Sequence, residues 1–188
     1  AGLLGSVGTA VKDVLPPGPL AQVQNEVERA YLNGTAAQDL AGSFFDSVRA
    51  FLSDQRGGKP VGEFGQQVRV IQATRNQSYW NQLEVDWDQW RTQLSGLAEG
   101  LKRISKGLTE LDQYDVPERE EVTSSLNSAA RYYDELVTNL DGLVSKPQAT
   151  MIYWCEARSG EGERVSLHAA PLHVGALVEE HLWHKKDS

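Results

Sequence analysis

A chain of 188 residues is long enough for one domain with a real core, or for one domain plus a small appendage. Its 40% hydrophobic and 23% charged residues are globular proportions, and no window approaches the roughly 18 apolar residues of a membrane span. The formal net charge of -8 argues against a generally basic nucleic-acid-binding surface and leaves room only for a local basic stripe. Ala1-Gly2-Leu3-Leu4 lacks the basic lead-in of a signal peptide, and Lys12-Asp13 interrupts the apolar run. Cys155 is the only cysteine, so no intramolecular disulfide forms and a reducing cytoplasm is the expected location. Both ends are compatible with a piece of something larger.

Leu4, Val7, Val11, Val14 and Leu15 predict a short helix over about 3–15, weakened by glycines and ended by Pro16-Pro17-Gly18-Pro19. A second helix is expected over about 20–32, with Leu20, Val23, Val27, Ala30 and Tyr31 on one face. Asn33-Gly34 closes it, and Thr35 caps a third over about 36–54. Gln55 to Gly65 reads as loop. Val68-Arg69-Val70-Ile71 is too short to separate a strand from an extended link.

From about 79 the pattern becomes regular. Leu83, Trp87, Trp90, Leu94, Leu97, Leu101, Ile104, Leu108 and Leu111 alternate intervals of 4 and 3, an unbroken heptad stripe. After a polar break at Asp112 to Pro117, Val122, Leu126, Ala129, Tyr133, Leu136, Leu140 and Leu143 repeat it. Two such helices with a short link are expected to be antiparallel neighbours, a long hairpin over about 79–144. Glu99 with Arg103, and Arg131 with Glu135, are spaced as i,i+4 pairs. Gly96, Gly100 and Gly107 either admit close approach or bending, or occupy tolerated surface positions.

Beyond Lys146-Pro147 the character changes. Ala149 to Ala157 is aromatic and β-branched and predicts a strand. Arg158 to Glu163 is a turn, Arg164 to Leu167 a second strand, and Pro171 precedes a helix over about 172–184. The expected fold is mainly α: a helical domain over 1–148 and a strand-turn-strand-helix segment over 149–188, part of an incomplete α/β domain.

Complete catalytic motifs are absent. Gly57-Gly58-Lys59-Pro60 has Ser53 where a phosphate-binding loop has its first glycine, and Pro60 where it has Ser or Thr. No Asp-Glu-x-His, His-Glu-x-x-His, G-x-S-x-G or G-x-G-x-x-G run occurs. His168, His173, His181 and His184 with Cys155 make a poor zinc set, better read as a solvated helix end. Glu156, Glu161, Glu163, Glu179 and Glu180 read as solvated, and Cys155 lacks a base partner. No catalytic, cofactor-binding or metal-binding residue is therefore assigned.

Trp87 and Trp90 belong to the stripe and read as core. Trp80, one turn before Leu83 and near Arg75, offers an aromatic face for a base or for another domain. Arg69, Arg75, Arg91, Lys102, Arg103 and Lys106 concentrate positive charge around the first half of the hairpin, and with Trp80 they are the candidate nucleic-acid contacts. Glu84, Asp86, Asp88 and Glu99 lie among them and favour a solvated face instead.

The tail carries a resemblance. Tyr153-Trp154, the Gly160 to Glu163 turn, Val165-Ser166-Leu167-His168-Ala169-Ala170-Pro171-Leu172-His173-Val174 and the close on Leu182-Trp183 resemble a stretch of the DinG/XPD-type superfamily 2 DNA helicases. In that family a strand and a Pro-containing turn lead into a helix just before a Thr-Ser-Ala-Thr-Leu-like strand. A long helical insertion, the arch domain, follows the Asp-Glu-Ala-His box and precedes this stretch. The layout covers essentially the whole chain, the wording about 153–184. The resemblance implies a non-catalytic arch piece of an ATP- and magnesium-dependent helicase that moves 5′ to 3′ on single-stranded DNA. The rest of the motor would be its partner in cis, the arch would help enclose the strand, and the ATP residues would lie outside this chain. The competing expectation is a structural or protein-interaction module whose hairpin docks a partner, or self-associates through a spare apolar face.

Overall fold

The computed structural model describes residues 2–160 and 162–172. In chain order it contains α1 (Leu3–Lys12), α2 (Pro17–Gln55), β1 (Gln66–Arg69), α3 (Gln72–Arg75), α4 (Ser78–Glu110), α5 (Arg119–Val144), β2 (Met151–Arg158) and β3 (Arg164–Pro171). The fold is mainly α with a small antiparallel sheet, as the periodicities predict. The helix expected over about 172–184 lies outside the described residues, except Leu172, which follows β3.

The largest departure from the sequence expectation is α2, one helix where two were expected. Gly34 does not end it, because a glycine that closes a helix takes a left-handed conformation and Gly34 is not among the positive-φ residues. It is a packing position: a Cβ placed there would lie 3.8 Å from Leu97. Thr35 is no cap either; its hydroxyl donates back to the Tyr31 carbonyl at 3.1 Å, the habit of a mid-helix threonine. The true stop is Gly57-Gly58. Both have positive φ, 63° and 73°, and the Gly58 N–H donates to the Ser53 carbonyl at 2.9 Å. The helix also starts earlier than expected, since proline is tolerated in a first turn.

The chain forms two compact units. The first takes 1–44 and 86–138, the second 45–85 and 139 onwards. The second unit holds all three described strands, with β1 coming from far back in the chain.

In the first unit α4 has two long neighbours, the expected hairpin partner α5 and, beside it, α2. Lys102 meets Asp134 of α5 at 2.9 Å, and Arg103 meets Glu26 of α2 at 2.7 Å. These contacts, with Glu99 held by Lys102, replace the expected Glu99–Arg103 pair. Leu94, Leu97, Leu101, Ile104 and Leu108 are buried as predicted, but so are Ala98, Gly100 and Ser105, a face wider than a two-helix seam. Val7 and Val11 of α1, Val23 of α2, and Val122 and Leu126 of α5 complete this core. Phe44 lies against Trp87 and Trp90, with ring centroids 6.0 and 5.1 Å away. Gly96 and Gly100 are close-approach positions. A Cβ on Gly96 would come within 2.8 Å of the Asn33 side chain, and one on Gly100 within 3.2 Å of the Ala30 Cβ. Gly107 faces open space.

The second unit is built on the sheet, ordered β1-β2-β3 and antiparallel throughout. Val68 pairs with Cys155, and Trp154 with His168. Val68-Arg69 is thus a strand, while Val70-Ile71 lead out of it. β3 runs to Pro171, opposite Met151, four residues beyond its expected end. Alternation puts Tyr153, Cys155 and Ala157 on one face, all buried. Gly65 must be glycine twice over: its φ is 76°, and a Cβ would stand 2.9 Å from the Ala157 carbonyl oxygen. The helical core beside the sheet includes Phe51 edge-on to Trp80 at 5.1 Å, with Leu52, Leu83 and Val144 fully or almost fully buried.

The glycines of α4 yield a paired test. Gly100→Val pushes against the Ala30 backbone and is expected to destabilise the protein by about 1–3 kcal/mol. Gly107→Ala meets nothing and removes backbone freedom, for an expected gain of about 0.5–1 kcal/mol. Urea unfolding of the two variants beside the parent chain measures both.

Candidate functional site

The structure disperses the residues that the sequence brings forward as nucleic-acid contacts. Arg91 pairs with Asp88, and Lys102 with Glu99 and Asp134. Arg103 pairs with Glu26, and Lys106 with Glu110 at 3.7 Å. The basic stripe is thus interleaved with its own acids. Each exposed pair is worth only about 0–1 kcal/mol, but together they leave little positive field for a phosphate. The Lys102 ammonium is pushed up from its ordinary value by its hydrogen bonds to Glu99 and then to Asp134.

Arg75 and Trp80 serve the second unit's interior. Trp80 has no exposed surface, and its indole N–H donates to the Val144 carbonyl at 3.3 Å. Arg75 donates to the same carbonyl and lies 5.4 Å from the Trp80 ring centroid. The carbonyl belongs to the last residue of α5, where the helix dipole is negative and a cation is favoured. Burial pushes the Arg75 guanidinium below its ordinary value. The Trp80 ring is already covered by Phe51 and Arg75 and presents no face on which a base could stack.

Arg69 differs. It is exposed on β1 and shares a sheet face with Trp154 and, two residues along, with Glu156. Here Trp154 and His168 stack nearly parallel, 4.9 Å between centroids and 7° between planes. Glu156 is 5% exposed, which corrects its reading as a solvated carboxylate: it sits mid-strand, not in the turn. It accepts hydrogen bonds from Arg158 and, at 3.2 Å, from Gln67. Arg158 holds the Glu156 carboxyl below its ordinary value, against the opposing effect of burial.

Ser166, His168 and Glu156 together invite comparison with a hydrolytic triad. The geometry fails it. Ser166 Oγ lies 2.8 Å and Glu156 Oε2 3.5 Å from the same imidazole nitrogen, Nε2. A relay needs the base to take the nucleophile's proton on one nitrogen while the carboxylate holds the other. This arrangement fixes a ring; it does not move a proton.

Other candidates fall on physical grounds. Burial pushes the Cys155 thiol up to about 12, so it is no thiolate at neutral pH. Gly57-Gly58-Lys59 terminates α2, and a phosphate cradle needs the opposite, N-terminal end of a helix. Glu163 is held by Arg56 at 2.7 Å. Among the described residues no group of three or more His, Cys, Asp or Glu side chains is placed to hold a metal, and no helix is long and apolar enough to cross a membrane. Of the histidines weighed for zinc, His173, His181 and His184 lie outside the described residues, as do Glu161, Glu179 and Glu180.

Concave surfaces lie along the first unit, and two of them differ sharply in chemistry. One, about 730 Å³, is lined largely by apolar side chains of α1, α2, α4 and α5, among them Leu3, Leu4, Val27, Leu97 and Tyr133. The other, about 530 Å³, is polar and runs along the start of α5, with Arg119, Thr123, Asn127 and Arg131 in its wall. Those four stand at intervals of four residues, a polar stripe beside the apolar one. The signal was legible in the sequence but was overshadowed by the heptads. Compared with known proteins, the chain matches no family model, no curated protein and no solved structure.

Glu156→Gln tests the sheet face. A carboxyl held below its unfolded value stabilises the fold fully above that value, about 4.3, and loses the contribution as pH falls through the lowered one. The variant is expected to melt below the parent at pH 7, with the gap closing in acid. Trp80→Ala is expected to cost about 3–5 kcal/mol in denaturant unfolding, the range for emptying an aromatic core site.

Proposed function

We propose that this chain is the arch, with an adjoining motor-domain segment, of an ATP-dependent 5′–3′ DNA helicase of the DinG/XPD type, and that it guides single-stranded DNA without catalysing a reaction itself. One observation carries the reading. β1 and β2 are hydrogen-bonded neighbours, yet the chain between them, from Val70 to Thr150, contains α4 and α5. A long helical excursion that leaves a sheet and returns to the adjacent strand is the connectivity of an insertion. The resemblance of the β2–β3 hairpin's sequence to the helicase stretch that follows the arch supplies the parent.

In this reading ATP and magnesium act in the remainder of the motor, which is the partner in cis. The only glycine-lysine loop here caps a helix at its wrong end for phosphate. A second reading, a module that docks a partner or a second copy, is favoured by the 730 Å³ apolar groove and by exposed Tyr31 and Tyr132. Sedimentation equilibrium addresses it: a monomer at all concentrations removes the second copy.

The helicase reading is tested on two observables. The chain with ATP, magnesium and single-stranded DNA is expected to show no phosphate release above background, and turnover would overturn the non-catalytic assignment. The reading frame is expected to continue past Ser188 into a Ser/Thr-rich helicase strand; a stop codon there removes the parent.

A further inference from the structure

The apolar groove of the first unit is built on two neighbouring rows of α2. Val23, Val27, Ala30 and Gly34 follow one another at intervals of 4, 3 and 4 and form its floor, buried or half-buried. Gln24, Glu28, Tyr31, Thr35 and Gln38 run beside them at 4, 3, 4 and 3 and form an exposed rim. Leu97 and Leu101 of α4 add to the apolar lining. On the α1 side the groove is opened by missing side chains: Gly2 and Gly8 line it, and a Cβ on either would meet nothing within 4 Å. An apolar ligand that covers such a surface is driven onto it by the water it displaces.

Size limits the shape of that ligand. Gln24 and Gln38 are fourteen residues apart, about 21 Å along a helix. Spread over that length, the volume of 730 Å³ gives a cross-section of about 35 Å². A helix with its side chains is about 10–12 Å across, so it needs roughly 80–110 Å² and would ride above the groove. A single extended alkyl chain lies within it.

Charge selects the head group. Glu28 is the only charged side chain in the lining among the described residues. Glu26, two residues earlier, is held by Arg29 at 3.3 Å and by Arg103 at 2.7 Å, whereas no cation among the described residues is placed against Glu28. Tyr31 stands three residues further along the same rim, with an exposed ring whose face attracts a cation. A carboxylate or phosphate head would meet one negative group here and no positive one. An ammonium meets a carboxylate and an aromatic face, on a chain whose net charge of -8 favours cations.

We infer that the groove binds a single-chain aliphatic amine, its alkyl chain along Val27, Ala30, Gly34 and Leu97 and its ammonium at Glu28 and Tyr31. The site is separate from anything the helicase reading requires, and neither stands or falls with the other.

The test is isothermal titration calorimetry of the full chain with decylamine, decanoate and decanol, each below its micelle-forming concentration. Decylamine is expected to bind, and decanoate, equal in length and opposite in charge, about tenfold more weakly. Glu28→Gln, an exposed change that leaves the core alone, should weaken decylamine about threefold, the worth of an exposed ion pair, and leave decanol unchanged. Gly8→Leu puts a side chain where nothing else stands; it should weaken all three ligands by about tenfold or more, while the chain melts no lower than the parent by circular dichroism. No binding of decylamine up to about 1 mM would overturn the proposal. Equal affinity for decylamine and decanoate would also overturn it, since an unselective apolar surface gives that result. So would undiminished binding by folded Gly8→Leu, which places the ligand elsewhere. Sedimentation separates the other occupant: a dimer of the parent chain that Gly8→Leu dissolves and decylamine leaves intact gives the groove to a second copy and sinks the amine.

Discussion

Close approach between α2 and α4 is the constraint on which the first unit rests. Ala30 and Gly34 on one helix meet Gly100 and Leu97 on the other, and Asn33 crowds Gly96. Helices separated by small residues at such positions draw the flanking large ones together, and the buried face of α4 widens accordingly. Each of those glycines carries a helix-propensity penalty of about 1 kcal/mol relative to alanine. The penalty is offset only because α2 runs unbroken past Gly34; a chain reversal there would remove the partner for which Gly96 and Gly100 leave room.

The second unit depends on a different interaction, the pairing of β1 with β2 across a long stretch of intervening sequence. The cost of closing such a loop grows only slowly with its length, so an insertion of two long helices between adjacent strands is thermodynamically tolerable. Around that pairing the unit buries Trp80 and binds both Trp80 and Arg75 to the final carbonyl of α5. Two residues with the chemistry to recognise nucleic acid are thereby committed to holding the fold, and a helix end finds satisfaction for a carbonyl it cannot bond itself.

Charge is arranged with the same economy. The cations of α4 are matched by acids three or four residues away or on neighbouring helices, which suits a chain with net charge -8. Arg131 is set instead among hydroxyl groups and an amide, while Arg119 also borders a hollow lined by Asp112, Asp115, Glu118, Glu120 and Glu121. On the sheet, Glu156 is surrounded by Arg158, Gln67 and His168, which keeps a nearly buried carboxylate ionised and ties the three strands together.

Much of this was determined by the sequence alone. Heptad spacing from Leu83 to Leu111 and from Val122 to Leu143 dictates two long helices, because only a helix places residues three and four apart on one face. β-branched and aromatic residues from Thr150 to Cys155 dictate a strand. Tertiary structure decided the rest. Asn33-Gly34-Thr35 is a local stop signal that lost to packing against Leu97. The strand character of Val68-Arg69 was too short to read until β2 supplied its partner. Which cations stay available was invisible in one dimension, since Arg103 meets Glu26 and Lys102 meets Asp134 across helices. A sequence specifies periodicity, which is local, but pairing between distant residues exists only once the chain has folded.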